Sequence, residues 1–211
     1  FIDAFFESMS GFTTTGATIL TNIDSMPLGI LFWRNLTQWL GGMGIILLSM
    51  AIFPALGIGS FHLFKAEVPG GVTVERMQPR LAETAKILWK TYVALTALEV
   101  ILLSLGGVGF FDAVCHSLST VATGGFSTHN TSIGYFDSVY VESISILFMF
   151  LGGISFALHY QLVTGNFVNV FKNPELRFYY TMIIIGIILA TWGLSSSRPD
   201  AALSASFRDA A

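Results

Sequence analysis

The sequence predicts an all-α membrane protein built from repeated units, each with a long helix, a short helix followed by a loop, and a second long helix. Three observations predict this fold class. Only 11% of the 211 residues are charged and 53% are hydrophobic, whereas a soluble domain has about 25% charged residues. Long apolar runs recur along the chain, and the segment 1–18 recurs in altered form at 110–127.

Four apolar runs are long enough to be considered as membrane helices. A helix needs roughly 20 mostly apolar residues to cross a bilayer. A single run of this kind is also compatible with the core helix of a soluble protein, but four in one chain favour a membrane protein. The runs are 28–53, 87–108, 139–163 and 178–194.

Positive charges predict the orientation of these helices. Seven of the ten Lys and Arg residues fall in or beside two connections: Lys65, Arg76, Arg80, Lys86, Lys90, Lys172 and Arg177. Short loops rich in Lys and Arg stay in the cytoplasm. Residues 1–27, 109–138 and 195–211 are therefore expected on the opposite side.

The outside stretches contain an internal repeat, which is considered before any fold is assigned. Residues 1–18 read FIDAFFESMSGFTTTGAT and residues 110–127 read FFDAVCHSLSTVATGGFS, with seven identities and no gap. Residues 207–210, FRDA, resemble the start of a third copy. The identical pairs are Phe1/Phe110, Asp3/Asp112, Ala4/Ala113, Ser8/Ser117, Ser10/Ser119, Thr14/Thr123 and Gly16/Gly125.

Each copy begins and ends on the same side of the membrane, so its short helix must enter the bilayer and return. About ten residues precede the Thr-Gly turn, too few for a span. Irregular backbone at membrane depth is tolerated only where it is buried in protein or lines a water-filled cavity. The pattern therefore predicts a pore.

The turns themselves, TTTGAT at 13–18 and ATGGFS at 122–127, have the composition of an ion filter. Backbone carbonyls can replace the hydration shell of a potassium ion, and glycine adopts the backbone angles that point successive carbonyls to one axis. Neither turn carries a charged side chain. The preceding helices, expected at 3–13 and 112–122, would direct their negative C-terminal ends toward the membrane centre, which favours a cation.

Several motifs resemble one known family. The stretches FFESMSGFTTTGAT, FWRNLTQWLGGMGIILL and ATGGFSTHNTSIGYFDS, with MQPRLAETAK between the last two, resemble the Trk/Ktr/HKT superfamily of potassium transporters, closest to its TrkH branch. The resemblance implies four helix–pore-loop–helix repeats in one chain around a potassium-channel-like pore. It also implies that this sequence is an incomplete part of that pore.

The resemblance assigns each part of the chain to a repeat. Residues 1–56 would be the pore loop and second outer helix of repeat one, and 57–86 a cytoplasmic connection. Residues 87–164 would be the complete repeat two. Residues 165–211 would hold a cytoplasmic connection, the first helix of repeat three and the start of its pore helix.

The resemblance also implies the ion site. Gly16 and Gly125 match the filter glycines, and glycine rather than serine at the first position favours potassium over sodium. The neighbouring residues would supply or shape the potassium ligands: Thr14, Thr15, Ala17, Thr123, Gly124 and Phe126.

The family further implies a multi-pass protein of a bacterial inner membrane, working as a homodimer with a cytoplasmic nucleotide-binding regulatory subunit. The basic connection at 65–90 would lie near that subunit. No cofactor beyond the transported potassium and no nucleic-acid partner is expected.

Two alternatives remain open at this point. One is a sodium-permeable or ion-coupled (symport) cation transporter of the same fold. The remote one is an intramembrane enzyme with re-entrant loops around Glu99 or His116. A duplicated Thr-Gly loop without a catalytic dyad argues against an enzyme, so no catalytic residue is assigned.

Residues around the filter carry structural expectations. Glu99 is expected as a protonated or hydrogen-bonded carboxyl between helices, although ionisable residues inside membranes are candidates for function. Arg34 is expected to snorkel to the interface. Small residues at 41, 42 and 44 would allow close packing or a bend. Supporting roles are expected for Glu7, His116 and His129, and helix-capping roles for Asp3, Asp112 and Asp209.

Overall fold

The computed structural model describes residues 1–44, 78–154, 158, 159, 162 and 173–197. The regular structure of these residues is helical. The helices are α1 (Ile2–Phe12), α2 (Leu28–Trp39), α3 (Gln78–Leu105), α4 (Phe110–Val121), α5 (Val139–Gly152) and α6 (Pro174–Ser197), with a π-helical turn at Leu40–Gly44 and a 3-10 turn at Ser132–Phe136. The chain divides into two compact units, 1–153 and 154–211, and the candidate site lies in the first.

Two described helices are long and apolar enough to cross a membrane. They are Lys86–Leu105 within α3 and Pro174–Gly193 within α6, with mean hydropathies of 1.6 and 1.5. They correspond to the predicted runs at 87–108 and 178–194. Parts of the other two runs, 45–53 and several positions between 155 and 163, lie outside the described residues.

The short helices α1 and α4 are the two copies of the repeat, and α2 packs against both of them. Helix α3 packs along α4, and α5 contacts α3 and α4. A buried apolar cluster anchors this second repeat: Leu103, Val108, Ala113 and Val141. The arrangement places α2, which follows the first short helix, directly beside the second short helix α4.

Helix α2 ends in a kink. Gly42 has φ −60° and ψ −126°, which breaks the helical path, so the predicted helix at 28–53 is not continuous. A side chain at Gly41 would overlap the backbone of Phe12, and one at Gly42 would lie 2.7 Å from the Tyr92 hydroxyl. The expectation that these glycines permit close packing or a bend is confirmed by the close approach at Gly41 and by the bend at Gly42.

The expected capping by Asp3 and Asp112 is wrong. The N-cap positions are Phe1 and Gly109, and neither short helix has a side-chain cap hydrogen bond. Both aspartates instead lie in the first helical turn, where a negative charge still complements the helix dipole. Asp112 accepts a hydrogen bond from the Thr128 hydroxyl at 2.8 Å. Asp209 lies outside the described residues.

Candidate functional site

The turns after α1 and α4 share an unusual backbone conformation. Thr14 and Thr123 both have φ of 53°, and Gly16 and Gly125 have φ of 75° and 88°. A non-glycine residue rarely adopts positive φ, so its recurrence at two aligned threonines is a property of the repeat. The two turns that match in sequence therefore also match in backbone conformation.

Hydrogen bonds within the turns repeat in the same way. In each copy, two backbone N–H groups bond back to carbonyls in the last turn of the short helix and close its C-terminal end. The bonds are Thr14 to Gly11 at 2.9 Å and Thr15 to Ser10 at 3.0 Å in the first copy, and Thr123 to Thr120 at 2.9 Å and Gly124 to Ser119 at 2.8 Å in the second.

The two turns are in contact. A Cβ atom added to Gly16 would overlap the carbonyl oxygen of Gly124 and would lie 3.6 Å from the Cα atom of Gly125. Segments separated by more than 100 residues thus come together at their glycines. This is the juxtaposition that a shared ion pathway requires.

The carbonyl oxygens of the turns are available as ligands. Within the described part of the chain, no hydrogen-bond donor is directed to the carbonyls of Thr14, Thr15, Gly16, Thr123, Gly124 or Gly125. Main-chain carbonyls normally find a partner. Uncharged oxygens clustered without protein donors can serve a cation by replacing its water.

Ala17 and Phe126 occupy the outer ends of the turns. The carbonyl of Ala17 accepts a hydrogen bond from the Ser10 hydroxyl at 2.5 Å. The side chain of Phe126 is buried, and the Arg34 guanidinium carbon lies 4.2 Å from the centre of its ring. Both residues therefore fix the shape of the turns.

Arg34 does not snorkel to the interface, because it is 4% exposed and is held inside the first unit. Its Nη2 atom lies 2.7 Å from Oε1 of Glu7 and 3.2 Å from the Thr18 hydroxyl. Its Nη1 atom donates to the carbonyl of Ser127 at 3.4 Å. One guanidinium therefore contacts α1, the end of the first turn and the end of the second.

Gln38 also supports the site, and sequence reasoning missed its role. Its Oε1 atom accepts hydrogen bonds from the Phe126 N–H at 3.0 Å and from the Ser119 hydroxyl at 2.7 Å. Gln38 lies one helical turn after Arg34, on the same face of α2. In the sequence, this role was indicated by two polar residues, Arg34 and Gln38, that lie four positions apart in an apolar helix.

Glu7 and His116, at matching positions of the two copies, have different surroundings. Glu7 accepts hydrogen bonds from the Thr18 hydroxyl at 2.7 Å and the Ile19 N–H at 3.2 Å. His116 is buried, with its Nε2 atom 3.4 Å from the hydroxyls of Ser127 and Thr128. Each side chain contacts the last residue of a turn and the residue after it, which agrees with the expected supporting role.

The loops outside the turns are linked between the repeats. His129 Nδ1 lies 2.8 Å from Oδ1 of Asp24, and the His129 ring stacks on Tyr135 at 3.6 Å between ring centres. The Ile23 N–H donates to the side chain of Asn130 at 2.8 Å. The hydrogen bond to His129 holds the pKa of Asp24 below its ordinary value.

Glu99 is fully buried in α3. Its carboxyl lies near the Thr120 side chain of α4. Neither carboxyl oxygen has a hydrogen-bond partner among the described residues. The position between two packed helices agrees with the structural interpretation of this residue.

Comparison with known proteins identifies the family. The TrkH family model, described as a cation transport protein, matches residues 1–204. The Trk system potassium uptake protein TrkH of Salmonella typhimurium is 47% identical over 190 residues, which cover 90% of this chain and 39% of that protein. An uncharacterized cation transporter of Methanocaldococcus jannaschii is 36% identical over 189 residues, covering 89% of this chain and 38% of that protein.

A solved structure shows the same fold. The crystal structure of the potassium transporter TrkH from Vibrio parahaemolyticus matches with a TM-score of 0.77 and 40% identity, covering 99% of this chain and 42% of that chain. The chain thus spans about two fifths of the length of these relatives. The repeat architecture, the paired turns and the family match agree, and the chain belongs to the TrkH family of cation transport proteins.

Proposed function

We propose that this chain supplies two filter segments of a potassium-conducting pathway in a longer membrane transporter. The observation that carries the proposal is the contact between Gly16 and Gly124, with carbonyls on both turns that receive no hydrogen bond from described residues. The relatives named as potassium transporters cover nearly the whole chain.

The chemistry of the turns favours potassium. Both turns offer neutral oxygens and carry no charged side chain, so an ion is coordinated by partial charges in place of its hydration shell. Each turn follows the C-terminal end of a short helix, whose partial negative charge favours a cation. The proposed filter comprises residues that supply or shape the ligands: Thr14, Thr15, Gly16, Ala17, Thr123, Gly124, Gly125 and Phe126.

The carbonyls of two filter segments form part of the coordination shell of an ion. Other segments must supply the remaining ligands. Thr15, Thr123 and Gly125 are exposed in this chain, so they are accessible to further filter segments of the same kind. We propose that the remainder of a four-repeat transporter provides them. The repeat boundaries at 56, 86 and 164 form part of this proposal.

We further propose a location in the inner membrane of a bacterium, as part of a homodimer regulated by a cytoplasmic nucleotide-binding subunit. The long apolar helices α3 and α6 support the membrane location. The phrase "Trk system" in the relatives' names supports an assembly of more than one component, and their description as uptake proteins and transporters favours transport over enzymatic activity.

The filter assignment is tested by Gly16→Ser in the intact transporter that carries this segment. The glycine has φ of 75° and lies against Gly124, so a side chain there must displace a carbonyl of the second turn. We expect the ratio of rubidium to sodium uptake in proteoliposomes to fall by about tenfold or more, which corresponds to at least 1.4 kcal/mol of discrimination.

Gly29→Ser provides the matched control. Gly29 lies in α2 with no atom within 4 Å of an added Cβ, so its replacement should leave the uptake ratio unchanged. Unaltered selectivity in a well-folded Gly16→Ser transporter would contradict the filter assignment.

A further inference from the structure

Gln38 forms a link from the first repeat to the filter turn of the second. It is 0% exposed on α2, and its Oε1 atom receives the Phe126 N–H at 3.0 Å and the Ser119 hydroxyl at 2.7 Å. Ser119 lies in the last part of α4, before the turn at 122–127, and Phe126 lies near the end of that turn. A single oxygen atom thus holds both sides of the second turn.

The orientation of the amide is fixed by chemistry. A backbone N–H can only donate, so the Gln38 oxygen and not its nitrogen must face Phe126. The Nε2 atom is then buried without a hydrogen-bond partner among the described residues. An unpaired buried N–H group costs about 1–3 kcal/mol, which the two hydrogen bonds to the oxygen offset, so the acceptor is the important part of this side chain.

The amide also accounts for a difference between the two copies. The residue matching Thr15 in the second copy is Gly124, and a Cβ at Gly124 would overlap the Gln38 amide. The Gln38 side chain therefore occupies the space that a second-copy threonine would need.

At the matching position of the second repeat, which lies in the described part of the chain, the side chain is not an amide. Gly41 and Gly152 occupy matching places, because a Cβ on either would meet the last carbonyl of a pore helix, that of Phe12 or Val121. The residue three positions before Gly41 is Gln38, and the residue three positions before Gly152 is the exposed Met149. The link is specific to the contact between the first and second turns.

We propose that Gln38 is a positioning residue that holds the carbonyls of residues 124–126 at the spacing needed to discriminate potassium from sodium. The inference rests on the proposed function. Discrimination by carbonyls depends on their number and on how firmly they are held. Gln38 fixes the second turn to α2, and α2 also packs against the first short helix. Gln38 therefore fixes the position of the second turn relative to the first.

The test uses two substitutions and a matched control in the intact transporter. Gln38→Met keeps the length of the side chain and removes the acceptor, whereas Gln38→Glu retains an acceptor oxygen. Asn35→Leu removes an equally buried amide of α2, whose hydrogen-bond partner among the described residues is the carbonyl of Leu31 in its own helix, at 2.8 Å. Uptake of rubidium and sodium is measured in proteoliposomes at equal protein content.

We expect Gln38→Met to lower the rubidium-to-sodium uptake ratio by about tenfold, the equivalent of one net hydrogen bond. Gln38→Glu should keep a ratio closer to wild type, and Asn35→Leu should leave the ratio unchanged. An unchanged ratio in Gln38→Met, an equal loss in Asn35→Leu, or an equal loss in Gln38→Glu would each overturn the proposal.

A further variant covers the case in which Gln38→Met does not fold. Ser119→Ala removes one of the two donors to the same oxygen, so it should lower the ratio less but in the same direction, and no change would overturn the proposal. If Gly16→Ser alters selectivity while the Gln38 and Ser119 variants do not, this inference fails and the proposed function stands. If Gly16→Ser is also without effect, the filter assignment itself fails.

Discussion

Arg34 and Glu7 form a buried ion pair, although they are 27 positions apart in the sequence. The Arg34 Nη2 and Nε atoms lie 2.7 Å and 2.8 Å from the same carboxylate oxygen, and the two side chains are 4% and 12% exposed. Because the guanidinium also donates to Ser127, the pair joins the first short helix to the end of the second turn.

Glu7→Gln should strongly destabilise the protein. The substitution leaves the Arg34 charge buried without its counter-ion, and removal of one partner from a buried pair costs about 3–5 kcal/mol. We expect a clear fall in the apparent melting temperature of the purified protein in detergent. Asp3→Asn, on the exposed first turn of the same helix, should change stability by no more than about 1 kcal/mol.

A double variant distinguishes the ion pair from general packing. Replacing both partners, with Arg34→Met and Glu7→Gln, removes the unpaired charge and should recover part of the stability lost in Glu7→Gln. Additive losses from the two substitutions would show that the residues do not act as a pair.

The sequence predicted the repeat because the features that define it are local. Helix length, the Thr-Gly turn and the matching of Thr14 to Thr123 depend on residues within one copy. The structure reproduces these features at both copies, down to equal φ angles at the two threonines. The short helices at Ile2–Phe12 and Phe110–Val121 lie within two residues of the predicted bounds.

The supporting contacts could not be predicted in the same way, because they join distant parts of the chain. Arg34 reaches Ser127 across 93 positions, and Gln38 reaches Phe126 across 88. Hydropathy alone suggested that Arg34 lies at the interface. An ion pair with Glu7 allows Arg34 to be buried instead. The sequence does not show this pair, because it forms only when α1 and α2 pack together.

Alanine substitutions at Gly16 and Gly125 should have unequal effects on stability. Both positions have positive φ, which costs a non-glycine residue roughly 1–2 kcal/mol. At Gly16 a Cβ would additionally overlap the Gly124 carbonyl, whereas at Gly125 no atom lies within 4 Å. Gly16→Ala should therefore lower the apparent melting temperature more than Gly125→Ala, and the reverse order would contradict the contact between the turns.

Tyr92→Phe should weaken the packing at the kink of α2. The Tyr92 hydroxyl donates to the Trp39 carbonyl at 3.0 Å, and the two rings stack at 5.2 Å. Tyr92 is fully buried and its hydroxyl lies beside the kink at Gly42, so its loss removes a buried hydrogen bond and should cost about 0.5–1.5 kcal/mol.

Tyr140→Phe serves as the comparison for this prediction. Its hydroxyl also donates to a backbone carbonyl, that of Leu102 at 3.2 Å, but the side chain is 43% exposed and water can replace the bond. Equal losses of stability in Tyr92→Phe and Tyr140→Phe would show that the kink does not depend on the buried hydroxyl.

The Asp24–His129 contact should make the link between the outer loops dependent on pH. The hydrogen bond from His129, together with smaller contributions from Asn130, lowers the pKa of Asp24 from its ordinary value of 3.8. A carboxyl whose pKa is lower in the folded protein stabilises the fold at pH values above the ordinary value, and this contribution is lost as the pH falls through the lowered pKa. Asp24→Asn should therefore reduce the apparent melting temperature near neutral pH, and its difference from wild type should shrink below pH 3.8.

The same measurement in a His129→Phe background tests whether the contact is the cause. Without the imidazole, the hydrogen bonds left to the Asp24 carboxyl among the described residues come from the backbone, including the long one from the Asn130 N–H at 3.4 Å, so Asp24→Asn should have a much smaller effect near neutral pH. Asp24 belongs to the loop after the first turn and His129 to the loop after the second. If the effect of Asp24→Asn no longer depends on pH in the His129→Phe background, the contact is a link between the repeats. A difference from wild type that remains constant down to low pH, or that persists in full without His129, would show that Asp24 stabilises the loop through other groups.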